Sequence, residues 1–333
     1  MTESRSNFRN RLEWLLVLAL LGPVLLMPRR LALWAMRCFG DLAYLLIRSR
    51  RVRTCELVRE RLGVDEPRSR AIVRGAFRTM SLNLIEPLLM HRQLRSKPLE
   101  ALVKVEGVEH ALALQEQGRG MMLATAHLGA WECLAHVCRL CLAQPWAVAR
   151  PLDNPLLEKL VVRYRMGGLA GTLEKEGSGL PMARLFRKGA VILLVLDQNA
   201  GRKSVLMDFM GAPSRQHKVS GVMASRFGVA VLPTYLLREP DGLHYRFIIE
   251  PPIEADPALE GDEAERDVIR RLSASLEARV RETPEQWLWL HDRWRSARHT
   301  AIVEQLLENE AGLGEDQAAK RGNTAVPEGT NEG

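Results

Sequence analysis

The sequence has few aromatic residues, which argues against a protein that binds nucleic acid by base stacking. Phe, Trp and Tyr make up 5% of its 333 residues, and single strands are usually held on aromatic side chains. The formal net charge of +7 is concentrated at one end, because the first hundred residues hold 19 Lys and Arg against 9 Asp and Glu. Arginines interleaved with apolar runs are typical of a surface facing anionic lipid. We therefore predict a membrane, and no nucleic acid, as partner.

Cysteine is also scarce, and its five residues give no disulfide framework. An odd number in a long chain favours a reducing compartment. Cys133, Cys138 and Cys141 have a spacing used by plant-type iron–sulfur proteins, but they lie in an apolar helical pattern and no cysteine follows Cys141. We interpret them as small apolar helix residues, and we predict no metal and no cofactor.

Long apolar runs are nearly absent, since the only uncharged one covers residues 14–27. Fourteen residues extend about 21 Å as a helix, which is shorter than the roughly 30 Å hydrocarbon core of a bilayer. Arginines flank the run on both sides, and a double arginine follows it directly, unlike a cleaved signal peptide. We predict that residues 1–50 form a membrane anchor followed by an interfacial helix. A buried helical hairpin with a solvated basic face is the alternative.

The hydrophobic period changes along the chain and predicts its domain organisation. Residues 51–100 have apolar positions at three- and four-residue steps, which predicts a helical subdomain. Residues 101–311 alternate short apolar runs with helical segments, which is typical of an α/β core with a mainly parallel central sheet flanked by helices. The predicted strands lie near residues 103–108, 120–125, 146–150, 169–172, 190–196, 229–237 and 245–250, and a long helix follows at 263–281. Residues 312–333 lack an apolar period, and we expect them to be disordered.

The residue pair that carries the most chemical information is His127 and Glu132. They lie at the junction between an apolar strand ending near Ala126 and an apolar helix. Gly129 permits a sharp turn there. We expect Glu132 to fold back and hydrogen-bond one imidazole nitrogen, which leaves the other nitrogen free as a general base. We therefore predict that both residues are catalytic.

Other polar clusters follow predicted strands. Arg150 begins one of them, and Asp197 and Gln198 follow the most apolar strand, at the sheet edge where α/β proteins bind ligands. We predict that these three residues bind substrate. A tryptophan-rich segment, residues 284–294, is interpreted as a packing element or a membrane-facing aromatic set rather than a catalytic one.

These motifs together resemble the bacterial lipid A biosynthesis acyltransferases, the late or secondary acyltransferases of the lysophospholipid acyltransferase superfamily. The resemblance covers about residues 10–300 and rests on segments that occur in the same order: His127-Leu-Gly-Ala-Trp-Glu132, Arg150-Pro-Leu-Asp-Asn-Pro155, Asp197-Gln198, Phe209-Met-Gly211, Val231-Leu-Pro233 and residues 284–294. The chain departs from the family where members commonly have Phe-Phe-Gly in place of Phe209-Met210-Gly211 and Asn in place of Ala130. The resemblance implies an enzyme of the cytoplasmic face of the inner membrane.

The resemblance also implies a reaction, the transfer of a fatty acyl chain from acyl carrier protein to a hydroxyl of an anionic glycolipid, without a metal. His127 would then be the general base and Glu132 its partner, and Arg163 would contact acceptor phosphate or the developing oxyanion. No G-x-S-x-G elbow is present, so direct attack by the acceptor is favoured over an acyl-enzyme. Backbone N–H groups at the helix start after His127, or a guanidinium, would bind the oxyanion.

Other functions stay open at the level of the sequence. The acceptor could be another lipid hydroxyl, of a lysophospholipid or a phosphatidylinositol mannoside, with acyl coenzyme A as donor. The same base could activate water in a thioesterase or lipase, because the sequence does not reveal whether water is excluded. A non-catalytic membrane scaffold is disfavoured, since it gives no reason for a base, a carboxylate and arginines to gather at strand ends.

Overall fold

The computed structural model describes residues 2–149, 152–165, 167–174, 177–201 and 204–298. The helices are α1 (Thr2–Leu26), α2 (Arg29–Leu46), α3 (Arg48–Leu62), α4 (Glu66–Asn83), α5 (Glu86–Leu94), α6 (Val108–Glu116), α7 (Leu134–Cys141), α8 (Pro155–Arg165), α9 (Gly179–Arg187), α10 (Val219–Phe227) and α11 (Gly261–Glu282). The strands are β1 (Val103–Glu106), β2 (Met121–Thr125), β3 (Trp146–Ala149), β4 (Gly171–Glu174), β5 (Val191–Val195), β6 (Val205–Phe209), β7 (Ala212–Gln216), β8 (Ala230–Arg238) and β9 (Tyr245–Ile249). The predicted tail, residues 312–333, lies outside the described residues.

Seven strands form one sheet in the order β1-β9-β8-β2-β5-β3-β4. Every neighbouring pair is parallel except β8 and β9, which are antiparallel. The central strand β2 is buried at all five positions, as expected for a parallel strand covered on both faces. The predicted α/β class, with a mainly parallel sheet flanked by helices, is confirmed.

Helices cover both faces of the sheet because alternate residues of β2 point to opposite sides. Met121 and Leu123 pack in one apolar cluster with α6 and α7. Met122 and Ala124 pack in a second cluster with α9, α10 and α11. Cys133 and Cys138 are fully buried in the first cluster, which agrees with their interpretation as apolar residues.

The helix α2 of the N-terminal segment is packed tightly into the fold. An added Cβ at Gly40 would lie 2.7 Å from the Arg78 Cα of α4, so the two helices approach closely. Asp41 accepts hydrogen bonds of 2.7 Å from both Arg74 and Arg78, and these two guanidinium groups hold the pKa of its carboxyl well below the usual range. Among the described residues, no helix is both long enough and apolar enough to cross a membrane.

The structure adds one element that the sequence pattern did not predict, the hairpin of β6 and β7. Met210 and Gly211 form its two-residue loop, with φ of 52° and 72° respectively. Positive φ at both central residues is the backbone of a type I′ turn, whose twist matches that of the flanking strands. Phe209-Met210-Gly211, noted as a motif in the sequence, is therefore the corner of a hairpin that lies against α11.

Candidate active site

His127 and Asp197 are brought together by two neighbouring strands. β2 and β5 pair in parallel, with Thr125 opposite Val195. His127 lies two residues after the end of β2, and Asp197 lies two residues after the end of β5. Since the carboxyl ends of parallel strands meet at one edge of a sheet, the two side chains meet there as well.

The hydrogen bonds of Asp197 fix the orientation of the imidazole. Its Oδ1 lies 2.7 Å from Nδ1 of His127. Its Oδ2 accepts two N–H groups, the backbone N–H of His127 at 3.0 Å and the indole N–H of Trp287 at 2.9 Å. An ionised carboxylate only accepts hydrogen bonds, so Nδ1 carries the proton. Nε2 is thereby left with its lone pair, as a base requires.

Asp197 remains ionised although it is only 3% exposed. Burial raises the pKa of its carboxyl, but the charge and the hydrogen bond of His127, the charge of Arg293 and the hydrogen bond of Trp287 together lower the pKa to about 2. Arg293, itself buried, donates from Nη1 to the backbone carbonyl of Asp197 and from Nη2 to Gln216 Oε1 at 3.0 Å. The carboxylate is therefore held by groups on two separate segments of the chain, the turn after β2 and residues 284–294.

The backbone beside His127 is held from both sides. The His127 carbonyl accepts the N–H of Leu288 at 3.0 Å, the N–H of Gly129 donates to Gln286 at 3.0 Å, and that of Ala130 donates to Leu236 at 2.8 Å. Gly129 has φ of 65°, and an added Cβ there would lie 2.1 Å from the carbonyl oxygen of Leu236. Only glycine fits at this position without moving the neighbouring strand.

His127 lines a cavity of about 490 Å³ together with Trp131, Glu132 and Gln198. Most of the remaining wall is apolar, and it includes Ala135, Ala147, Leu169, Met182, Leu193 and Val195. The Trp131 ring lies edge-on to the His127 ring, with 5.3 Å between centroids. The site therefore combines a histidine of fixed orientation with an apolar space large enough for part of a lipid chain.

The structure brings some of the predicted site residues together, while others lie outside the described residues. His127, Glu132 and Gln198 share the cavity, and the Gln198 side-chain nitrogen lies 3.5 Å from His127 Nε2. The carboxylate on Nδ1 is Asp197, predicted as a substrate-binding residue, whereas the orienting role had been given to Glu132. Arg150 lies outside the described residues, and so does the side chain of Arg163.

The backbone N–H groups of the turn between His127 and the helix start are used within the fold. The N–H groups of Leu128, Gly129 and Ala130 all donate to backbone carbonyls. A backbone N–H that is already bonded offers little to a developing charge. The predicted donors are those at the helix start, which begins at Trp131, and they stay a prediction.

The tryptophan-rich segment packs inside the protein, as predicted in the first of its two interpretations, and does not face a membrane. Trp287, Trp289 and Trp294 are each at most 1% exposed and surround Phe209 and one another. The sequence did not indicate that Trp287 also donates to the Asp197 carboxylate and Arg293 to the Asp197 backbone carbonyl. Only the strand order shows which carboxylate they approach.

The fold and the site together define a class of protein, an α/β protein with a carboxylate-oriented histidine beside a largely apolar cavity. The sequence profile of the bacterial lipid A biosynthesis acyltransferases matches residues 1–296. The chain therefore belongs to the lipid A biosynthesis acyltransferase family.

Individual relatives are similar over a shorter range. The chain is 29% identical over 195 residues to a lipid A biosynthesis palmitoleoyltransferase of Escherichia coli (strain K12), covering 58% of this chain and 61% of the relative. It is 29% identical over 197 residues to a lipid A biosynthesis lauroyltransferase of the same strain, covering 58% and 62%. A phosphatidylinositol mannoside acyltransferase of Mycobacterium tuberculosis (strain ATCC 25618 / H37Rv) is 25% identical over 216 residues, covering 62% and 64%. The matches thus span somewhat less than two thirds of each relative.

Proposed function

We propose that this protein transfers a fatty acyl chain from acyl carrier protein to a hydroxyl of a lipid A-type glycolipid. The observation that carries the proposal is the 2.7 Å contact between His127 Nδ1 and Asp197 Oδ1, since His127 lines a largely apolar cavity. Membership of the family supports the acyl transfer. The carrier protein as donor and the acceptor identity follow from the family resemblance.

The proposed reaction is a direct attack. Nε2 of His127 takes the proton of the acceptor hydroxyl as its oxygen attacks the thioester carbonyl, and Asp197 stabilises the imidazolium that forms. The tetrahedral intermediate then expels the thiolate, the ester bond remains, and the imidazolium returns the proton to the leaving sulfur. We assign stabilisation of the oxyanion to the Gln198 amide, which lies beside Nε2. Glu132 lines the same cavity and is proposed to act there as a second catalytic carboxylate.

A covalent acyl-enzyme is disfavoured by the state of the nearest cysteine. Cys133 follows Glu132 directly, but it is fully buried, and burial raises the pKa of its thiol well above the usual range. A thiol that does not ionise is a poor nucleophile. The acceptor hydroxyl, activated by His127, is therefore the attacking group.

We place the protein on the cytoplasmic face of the inner membrane, attached through exposed apolar side chains of α1 and α2. These residues are Phe8, Leu12, Leu15, Leu16, Leu20, Leu26, Leu31, Trp34, Leu42, Leu45 and Leu46. Basic residues flank them, so the surface offers both apolar area and positive charge to anionic lipid. Such a surface supports attachment without a spanning helix.

Surface substitutions test attachment better than a deletion, because α2 is packed on α4. Replacing Trp34, Leu45 and Leu46 with serine should reduce binding to anionic vesicles about tenfold or more, because burial of one such side chain contributes about 1.5–3 kcal/mol. Binding is measured by vesicle flotation.

The matched control replaces three exposed leucines outside α1 and α2, Leu112, Leu140 and Leu206, with serine. This control should float like the wild type. If both triple variants bind equally, the α1 and α2 surface is not the attachment site.

The transfer itself is tested by product analysis. Purified protein is offered acyl carrier protein thioesters of several chain lengths with a lipid A precursor, and the product is identified by mass. His127→Ala should lose transfer by at least about 10²-fold, the lower range for general-base catalysis, while His110→Ala, outside the cavity, should retain it. Undiminished turnover in the His127 variant would reject the mechanism.

A second acceptor class is favoured by one observation, the similarity to a phosphatidylinositol mannoside acyltransferase. The same base and cavity would serve that hydroxyl equally well. Offering phosphatidylinositol mannoside and lysophospholipid beside the lipid A precursor, with acyl coenzyme A beside the carrier protein, decides between them. Release of free fatty acid in place of any acylated lipid would instead identify a hydrolase.

A further inference from the structure

A second cavity lies next to the active site and is lined by arginines. It has a volume of about 660 Å³ and runs between α3 and residues 289–298. We call it the arginine cleft. Asn199 lines both this cleft and the cavity that contains His127, and its backbone N–H donates to His291 Nε2 at 3.1 Å. A ligand in the cleft would therefore lie beside the reacting groups.

Four arginines reach the cleft from its two walls. Arg53 of α3 and Arg298 of the opposite wall both bond to Asp292, the former at 3.0 Å. One carboxylate thus holds two guanidinium groups in place across the cleft. Arg50 and Arg295 are exposed, and within the part of the chain that the structure describes their side chains form no ion pair or hydrogen bond.

The acidic residues of the cleft cancel only part of its positive charge, because four arginines face three carboxylates. Three carboxylates line it, those of Glu56, Glu60 and Asp292. Glu60 is already paired with Arg61 at 2.6 Å, and Asp292 is shared by its two arginines. Guanidinium groups are suited to phosphate because they donate in a planar fork. The cleft is therefore able to bind a phosphate monoester between Arg50 and Arg295.

The position of the cleft points to a lipid as the source of that phosphate. Arg50 and Arg53 lie one and two turns after three exposed apolar residues, Leu45 and Leu46 at the end of α2 and Ile47 between α2 and α3. A headgroup at the surface of a membrane bound there is close to the cleft. A concave space of this size also fits a sugar phosphate better than the broad face of an acidic protein.

We propose that the arginine cleft binds a phosphate on the headgroup of the acceptor lipid and so places its hydroxyl near His127. This inference rests on the proposed function, because it takes a phosphorylated glycolipid as acceptor. Arg50 and Arg295 donate to the phosphate, while Arg53 and Arg298, held by Asp292, supply the fixed positive wall.

The test compares two double variants with equal loss of charge. Arg50→Gln with Arg295→Gln changes the cleft, and Arg187→Gln with Arg266→Gln changes exposed arginines of α9 and α11. Equilibrium binding is measured to vesicles that contain a lipid A precursor, either with its phosphates or after phosphatase treatment, and that are adjusted with phosphatidylglycerol to the same surface charge. Circular dichroism checks that each variant is folded.

The wild type and the control pair should bind the phosphorylated lipid about tenfold more tightly than the dephosphorylated one, a difference of about 1.4 kcal/mol. The cleft variant should bind the two lipids equally. A cleft variant that keeps the preference, or a control pair that loses it to the same extent, would overturn the proposal. The proposal would also be overturned if the wild type lost its preference for the phosphorylated lipid when inorganic phosphate was added at the same concentration as the lipid. That result would identify a site for the free anion.

Two further results separate this inference from the transfer activity. Binding requires no turnover, so a protein that prefers the phosphorylated lipid but transfers no acyl chain would retain the cleft and reject the proposed function. In the transfer assay, the cleft variant should raise KM for the lipid. A selective rise in KM for the acyl carrier protein thioester would assign the cleft to the donor and refute the proposal.

Discussion

Replacing Asp197 with asparagine should impair catalysis through both charge and hydrogen bonding. Oδ2 accepts two N–H groups, from the His127 backbone and from Trp287, so the asparagine oxygen must occupy that position. The amide nitrogen then faces His127 Nδ1 and donates to it. The imidazole proton moves to Nε2, and the nitrogen that should act as base is blocked.

The loss of charge gives the scale of the first part of the effect. The pKa of Asp197 is about 2, against its ordinary value of 3.8, which corresponds to about 2 kcal/mol of net favourable interaction. Burial alone would raise the pKa of Asp197, so the attraction of its carboxylate to the neighbouring groups is larger than this net value. His127 contributes the largest part of this interaction, beside Arg293 and Trp287, so loss of its share lowers kcat by up to roughly 30-fold. The wrong tautomer should extend the total loss to about 10³-fold, toward the effect known for the same change in a serine protease.

The assay is single-turnover acyl transfer by purified Asp197→Asn, with the thermal unfolding midpoint recorded beside it. The matched control is Asp262→Asn, an exposed carboxylate in the first turn of α11. It should transfer at the wild-type rate. A loss of less than about tenfold in a folded Asp197 variant would refute the assigned role of the carboxylate.

Two other predictions concern residues that support the site, Gly129 and the buried His136. Gly129→Ala should abolish transfer and destabilise the fold, since its Cβ would lie 2.1 Å from the Leu236 oxygen. The control Gly228→Ala has a similar positive φ but open space around it, and it should lower the free energy of unfolding by only about 1–2 kcal/mol. Equal unfolding midpoints for the two variants would contradict the steric argument. His136→Phe should make the free energy of unfolding fall less as the pH decreases from 6.5 to 4, because burial and nearby positive charge lower the pKa of His136 from 6.5 to about 4. The unfolded state then takes up a proton that the folded state does not as pH falls from 6.5 to 4, a loss of about 3 kcal/mol in the wild type, and denaturant titrations at both pH values should detect it.

The sequence predicted the sheet well because its strands are short apolar runs between clear helical segments. All seven strands of the main sheet were placed to within about two residues. The β6–β7 hairpin was not predicted, because its strands mix charged, polar and proline residues and its turn uses Met210 at positive φ. Such a turn is held by tertiary packing, which local sequence does not specify.

The contact between His127 and Asp197 was not predicted from the sequence. His127 and Asp197 were both identified as strand-end residues, yet 70 positions separate them, and only the strand order makes β2 and β5 neighbours. Glu132 was chosen as partner because it is close in sequence. Trp287 and Arg293 were interpreted as packing residues, and their bonds to Asp197 depend on how the C-terminal segment crosses the sheet.

The most direct test of the central claim follows the acyl group from a labelled acyl carrier protein thioester, with and without the glycolipid acceptor. If His127 activates the acceptor hydroxyl, the wild type should consume thioester only when acceptor is present, and all label should enter the lipid. His127→Ala should leave the thioester intact. Label bound covalently to the protein, fatty acid released without acceptor, or equal consumption by the variant would contradict direct attack by a His127-activated hydroxyl.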